Sequence, residues 1–222
     1  VSTARKDRSG FPDSARNVEE NYRRIADVLE LAPEKACAAK QVHSDIVYTV
    51  QRTDGGKGVL EAFPVLDDCD GVLLEPDCEE IDAVCVKTAD CVPILLANRE
   101  TGAVCAVHAG WRGSAADIVT KAAKMLAHGC MEHILAAIGP CIGRCHYEVG
   151  EEVYVAFARL LRSKDAVSDI DRYVPVFPSC SMGGKRHADL AGINRALLEY
   201  SGVPSGNIEV SGFCTCCKTD ET

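Results

Sequence analysis

VPILLANRETGAVCAVHAGWRGS, residues 92–114, decides the fold. Two apolar runs, VPILLAN (92–98) and AVCAVHA (103–109), flank the short polar segment Arg99 to Gly102. This is the pattern of two strands joined as a β-hairpin. Antiparallel pairing would bring Cys91, before the first run, close to His108, near the end of the second. Beyond His108, the small residues Ala109-Gly110 and the turn Trp111-Arg112-Gly113 lead into a stretch in which Ile118, Ala122, Met125 and Leu126 recur at helical spacing. A helix over Ser114 to His128 is expected, with Ser114 and Asp117 as an acidic capping box.

Upstream, Val18, Tyr22, Ile25 and Leu29 share one face of an expected amphipathic helix over residues 14–31, capped by Asp13 or Ser14. Short β-rich runs follow: IVYTV (46–50), GVLLE (71–75) and AVCVK (83–87), with turns at Asp54-Gly55 and Asp70-Gly71. Further helices are expected over 150–162 and 188–200, and Ser163 to Gly184 reads as loop. The intermixing of helical and strand patterns gives an α/β or α+β class, a mixed sheet covered by helices. With no repeat and no linker of domain-joining length, one domain over residues 1–222 is the expectation.

A net charge of −9 with no basic cluster disfavours nucleic acid and anionic membrane as partners. VSTARKDRSG (1–10) lacks the apolar run of a signal peptide and no run of eighteen apolar residues occurs, so the expected location is cytoplasmic. Thirteen cysteines in a chain of this length read mainly as reduced thiols, several of them small hydrophobes inside apolar runs, as Cys85 and Cys105 are.

Three places join metal-competent side chains to turn signals at the ends of apolar runs: Gln41-Val42-His43, Thr88-Ala89-Asp90-Cys91 and His108 to Gly113. Zinc accepts imidazole and thiolate together, and a catalytic zinc keeps three protein ligands and one open position. His43, Cys91 and His108 would make that set. A lone histidine beside an apolar run is more often packed or on the surface; the combination of three is what points to metal. Arg112 behind Gly110 suits phosphate, Lys87 adds a second positive charge, and Asp90 is either a proton carrier or a group that orients a ligand.

GPCIGRCHYE (139–148) has cysteines one residue too far apart for a zinc deaminase motif and no upstream H-x-E. It reads either as a substrate loop offering Arg144 or Tyr147, or as a structural turn with buried thiols. Cys214, Cys216 and Cys217 lack a second pair at zinc-finger spacing.

Together KQVHS (40–44), KTADCVPILL (87–96), VHAGWRG (107–113) and IGPCIGRCHYEVG (138–150) resemble, in order, the motifs of the YfiH-like or laccase-domain family of bacterial purine nucleoside phosphorylases. The resemblance runs from about Phe11 to Cys217. It implies a three-layer α/β/α fold with mixed sheet, zinc on His43, Cys91 and His108, and phosphorolysis of adenosine, inosine and methylthioadenosine, with deamination of adenosine. Nucleoside and phosphate would be the partners. Members usually continue beyond FCTCCKTDET (213–222) into an aromatic, arginine-rich stretch, which this sequence lacks, and His187 stands where another residue is expected.

Three other readings use the same residues. Copper is the less favoured metal, suggested by the family's older name, because a multicopper oxidase needs many more than six histidines. A metal-free hydrolase acting on amides or peptidoglycan precursors would use Cys91 as nucleophile and His108 as base. A structural or storage site would need a fourth ligand, with Cys141 or His146 as the first candidates.

Overall fold

The computed structural model describes residues 15–60, 63–164, 170–177 and 185–217. The hairpin read from the sequence is its centre. β5 (Val92–Asn98) and β6 (Val104–Ala109) pair antiparallel with Pro93 opposite His108 and Ala97 opposite Val104. Asn98 closes the turn: its side-chain oxygen accepts from the amides of Glu100 and Thr101, and Gly102 adopts φ +84.

Around this pair the main sheet grows in both directions. On one side β6 pairs antiparallel with β3 (Gly71–Leu74), and β3 pairs parallel with β2 (Val47–Thr49). On the other, β5 pairs antiparallel with β7 (Ile134–Ile138), which takes β11 (Ile208–Val210) in parallel. The order β11-β7-β5-β6-β3-β2 is a mixed sheet of six strands. Gly71 is required where β2 and β3 meet, since a Cβ there would lie 2.9 Å from Val47 Cγ2.

Helices cover this sheet. α2 (Trp111–Ala115), α3 (Ile118–Ala127), α4 (Glu151–Ser163) and α5 (Leu190–Ser201) pack over the main core with Ile118, Leu126, Phe157, Leu161, Ile193 and Leu197 fully enclosed. Each such apolar side chain contributes about 1.5–3 kcal/mol of transfer free energy. A second core lies where Val72 and Leu74 meet Cys37 and Ile81. There β1 (Ala36–Ala38) pairs parallel with β4 (Ala83–Cys85), and α1 (Ala15–Val28) contributes Tyr22 to a neighbouring small cluster. The class is α+β, with a mixed sheet as expected from the sequence. A small sheet of β8 (Glu148–Val149), β9 (Val176–Phe177) and β10 (Lys185–His187) completes the described strands.

Several local expectations are corrected. The helix expected from Ser114 is two helices, α2 and α3, broken at Asp117, whose φ of +64 is left-handed. Ser114 is no cap: it is buried within α2 and its hydroxyl accepts from Asn194 Nδ2. Asp117 makes no side-chain cap hydrogen bond; its carboxylate pairs with Lys164 instead. α1 forms as read, but Val18, Ile25 and Leu29 are exposed and only Tyr22 of that face is partly buried. Its proposed cap at Asp13 or Ser14 lies outside the described residues. The loop-like stretch after Ser163 contains β9, which a strand of two residues did not announce. No described helix is long and apolar enough to cross a membrane.

Candidate metal centre

The antiparallel register places Cys91, just before β5, at the same end of the sheet as His108 near the end of β6. Asp70, just before β3, reaches that end too, and its carbonyl accepts the His108 amide at 2.7 Å. His43 arrives on the loop before β2. One ligand atom from each of His43, Cys91 and His108 lies within 4.8 Å of the others. The two imidazoles meet edge to face, with centroids 4.9 Å apart at 82°.

In the sequence Asp70 reads only as a turn residue beside Gly71, yet it organises the centre. Fully buried, its carboxylate accepts the amides of Val42, His43 and Ser44 at 3.2, 3.0 and 2.6 Å and the Ser44 hydroxyl at 2.7 Å. These bonds hold His43 in the left-handed region, φ +63, which few non-glycine residues adopt. The same carboxylate takes His108 Nδ1 at 2.7 Å. That leaves Nε2 of His108 as the nitrogen free to face the other two side chains.

Burial acts to raise the pKa of Asp70, but the hydrogen bonds from His108 and Ser44 outweigh it and hold the carboxyl at about 2. For His108 burial works against the charge; Asp70 and the Cys91 sulfur overcome it and push the imidazole up to about 9. His43 is lowered, first by burial and then by the charges of His108 and Arg112. Two imidazoles and a thiol facing one point form a donor set that zinc accepts. Among the described residues no fourth His, Cys, Asp or Glu joins them, so a metal held here would keep one position open.

Glycine makes the convergence sterically feasible. A Cβ on Gly110 would lie 3.0 Å from His43 Cδ2 and 3.1 Å from Cys91 Sγ, and one on Gly113 would lie 2.9 Å from the Ser44 carbonyl oxygen. Both glycines let the turn after β6 close against the His43 loop.

Arg112 begins α2 beside Trp111, its guanidinium 4.3 Å from the indole centroid and close enough to His43 to disfavour that imidazole's charge. Tyr147 is half-buried against the main core; burial and then the nearby Cys91 sulfur push its hydroxyl up to about 12. Lys87 is joined to the His43 loop through its backbone. Gln41 Nε2 donates to the Lys87 carbonyl and Gln41 Oε1 accepts the Lys87 amide, both at 2.6 Å. Asp90 is exposed and accepts the Thr215 hydroxyl at 2.7 Å. Arg144 is exposed on the loop after β7, where its carbonyl accepts His187 Nδ1 at 2.8 Å. Among the described residues no hydrogen bond or ion pair joins the Arg144 guanidinium to the trio. Of the two suggested fourth ligands, Cys141 is buried in the main core and His146 belongs to a separate group with Cys145, Cys214 and Cys217.

A family described as "Multi-copper polyphenol oxidoreductase laccase" matches residues 8–221. The chain belongs to that family. Within this laccase family, a relative from Bacteroides thetaiotaomicron named purine nucleoside phosphorylase is 30% identical over 212 residues, covering 94% of this chain and 74% of the relative. Adenosine deaminase RL5, from an unknown prokaryotic organism, is 38% identical over 135 residues, 60% of this chain and 48% of that protein. The crystal structure of Bacillus licheniformis hypothetical protein YfiH superposes with a TM-score of 0.81 at 28% identity, covering 93% of this chain and 74% of that one.

Proposed function

We propose that this laccase-family chain is a zinc-dependent purine nucleoside phosphorylase that acts on adenosine, inosine and methylthioadenosine, with adenosine deamination as a second activity. Supporting the activity are the names carried by its relatives. Supporting the metal is one observation above the rest: Asp70 fixes His108 by its Nδ1, so that imidazole, the His43 imidazole and the Cys91 thiol face one point with no fourth side chain from the described residues. A three-ligand zinc site is the catalytic kind.

Zinc held there would supply Lewis acidity toward an oxygen at its open position, phosphate for phosphorolysis or water for deamination. The chain's own residues do the rest. Arg112, its guanidinium stacked on Trp111, offsets phosphate charge, and Lys87 adds a second cation. Asp70 keeps His108 aimed and is too deeply buried and too strongly bonded to meet substrate itself. Asp90 stands next to Cys91 and moves a proton or orients that ligand, and Arg144 and Tyr147 border the nucleoside.

A copper oxidase is disfavoured by where the six histidines go. Two are in the trio, His146 sits among thiols, His128 and His133 pair with Glu75 and Glu100, and His187 binds the Arg144 carbonyl. No further set of histidines remains to build a trinuclear cluster. A metal-free Cys91–His108 hydrolase is disfavoured because His43 would then have no task at the meeting point.

The test is to incubate the protein with inosine, with and without phosphate. Ribose 1-phosphate and free hypoxanthine are expected only with phosphate, with loss of both on chelation, recovery with zinc, and loss in His43→Ala. Activity that ignores chelator and disappears on thiol alkylation would favour the hydrolase; blue absorbance with bound copper would favour the oxidase.

A further inference from the structure

At the same end of the molecule, but on different residues, a second set of metal-competent side chains meets. Cys145, His146, Cys214 and Cys217 each bring one ligand atom within 4.8 Å of all the others. The two halves lie 72 positions apart along the chain. We infer that these four residues form a closed, structural zinc site of the Cys3His type, separate from the trio and holding the segment 214–217 against the loop after β7.

Spacing carries the inference. Zinc bonds of about 2.3 Å to sulfur and 2.0–2.1 Å to nitrogen give tetrahedron edges of roughly 3.6–3.8 Å. Cys145 Sγ lies 3.6 Å from Cys217 Sγ. His146 Nδ1 lies 3.3 Å from Cys145 Sγ, 3.7 Å from Cys214 Sγ and 3.6 Å from Cys217 Sγ. The Cys145 and Cys217 sulfurs are therefore too far apart for a disulfide, at about 2.05 Å, and near the separation that one shared ion imposes, while all four ligand atoms stay within 4.8 Å of one another. Four ligands with three thiolates make the set that zinc takes when no position is left open.

The surrounding backbone is arranged for the same purpose. Gly143 donates its amide to Cys214 Sγ at 3.1 Å, the kind of outer hydrogen bond that orients a metal-bound thiolate. A side chain at Gly143 would strike the sulfurs, since its Cβ would lie 3.1 Å from Cys145 Sγ and 3.3 Å from Cys214 Sγ. The amides of His146 and Tyr147 both close on the Gly143 carbonyl, folding Cys145 and His146 into one tight turn. Opposite them, Cys141 and Cys214 form a parallel bridge, with Thr215 N donating to Cys141 O at 3.0 Å. Three thiols, two of them exposed, would gain little by gathering at a surface for burial alone.

The site has a consequence for its neighbour. Thr215, between Cys214 and Cys217, donates to Asp90, the residue before Cys91, and Tyr147 follows His146 toward the same sulfur. An ion binding residues 145–146 to 214–217 fixes both of these approaches to the trio.

The experiment is elemental analysis of purified protein with X-ray absorption at the zinc edge. Wild-type protein should carry two zinc ions per chain. His43→Ala with Cys91→Ser should carry one, whose spectrum fits three sulfurs and one nitrogen. Cys145→Ser with Cys217→Ser should also carry one, fitting a single sulfur with nitrogen and oxygen. Because that second variant could unfold, zinc release from intact wild type on titration with a thiol-specific alkylating reagent, followed with a chromophoric chelator, gives an independent reading. One ion should leave as Cys145, Cys214 and Cys217 are modified. A single zinc per chain in wild type with none on the trio-deleted protein would overturn the proposal. So would iron–sulfur absorbance at the four residues, or a Cys145–Cys217 disulfide in metal-replete protein.

Discussion

Replacing Asp70 by asparagine changes one oxygen and tests the whole centre. In the native chain Oδ1 accepts from the His43 amide and from His108 Nδ1, while Oδ2 accepts from the amides of Val42 and Ser44 and the Ser44 hydroxyl. An asparagine must turn its NH2 toward one of these groups. If it faces the Oδ1 side, it meets the His43 amide and forces His108 to accept at Nδ1, placing a proton on the nitrogen needed for metal. If it faces the Oδ2 side, two amides point at a donor. Either orientation strands one or two part-buried amide donors at about 1–3 kcal/mol each, so Asp70→Asn should cost about 1–6 kcal/mol of stability. Against a total of about 5–15 kcal/mol, that is severe but survivable.

Metal affinity should fall as well, by roughly 10- to 100-fold, the usual cost of removing the partner of a ligating histidine. Urea unfolding of the metal-free protein reads the first quantity and competition with a chromophoric zinc chelator reads the second. Both should move together, because one carboxylate holds the His43 loop and the His108 ring. An Asp70→Asn protein within about 0.5 kcal/mol of wild type, binding zinc at the trio within about threefold, would refute the assignment of Asp70 as organiser.

Gly110→Ala should weaken zinc binding at the trio by about tenfold with little change in unfolding, because the new methyl displaces His43 and Cys91 rather than the core; zinc competition beside urea titration checks this. Metal-free protein should hold the full contribution of the Asp70–His108 pair between about pH 4 and 6.5. It should lose stability as pH rises through about 9, where His108 gives up the proton its partners hold, and as pH falls toward about 2, where Asp70 takes one; urea midpoints across pH measure both limbs. Zinc-loaded protein should lack the alkaline limb, since its His108 binds metal without that proton. Leu126→Ala, fully buried in α3, should cost about 2–5 kcal/mol while leaving the zinc content unchanged by elemental analysis.

Much of the fold was legible because it is written locally. The β5–β6 hairpin has apolar runs on both sides of a polar turn, and β5 alternates buried with more exposed positions, the period that sequence patterning detects. α4 and α5 were legible for the same reason at helical period. β1, of three residues, and β11, also of three, are too short to carry a period, and their partners β4 and β7 lie far off in the chain. The break between α2 and α3 was hidden because Asp117 adopts a left-handed conformation that apolar spacing does not encode. Val18, Ile25 and Leu29 repeat at helical spacing whether or not anything covers them, so the pattern gives the helix and not its environment.

The two clusters show where local reading stops. Cys91 and His108 could be joined from the sequence because a hairpin maps linear distance onto spatial proximity, one end of each strand beside the other. His43 could be added as a residue type without a path to the place. Asp70 was out of reach because its role depends on β3 pairing with β6 and on five donors from two distant segments, none of which changes the composition around an ordinary Asp-Gly turn. The Cys3His group was out of reach for a sharper reason. Finger spacing expects two pairs, each separated by a short gap, whereas here one half is the adjacent dipeptide Cys145-His146 and the other is Cys214 with Cys217. What brings the halves together is the parallel bridge of Cys141 to Cys214 beyond the ends of β7 and β11, two strands that are themselves neighbours. Ligand sets assembled by strand order rather than by spacing become visible only once the order of the sheet is known.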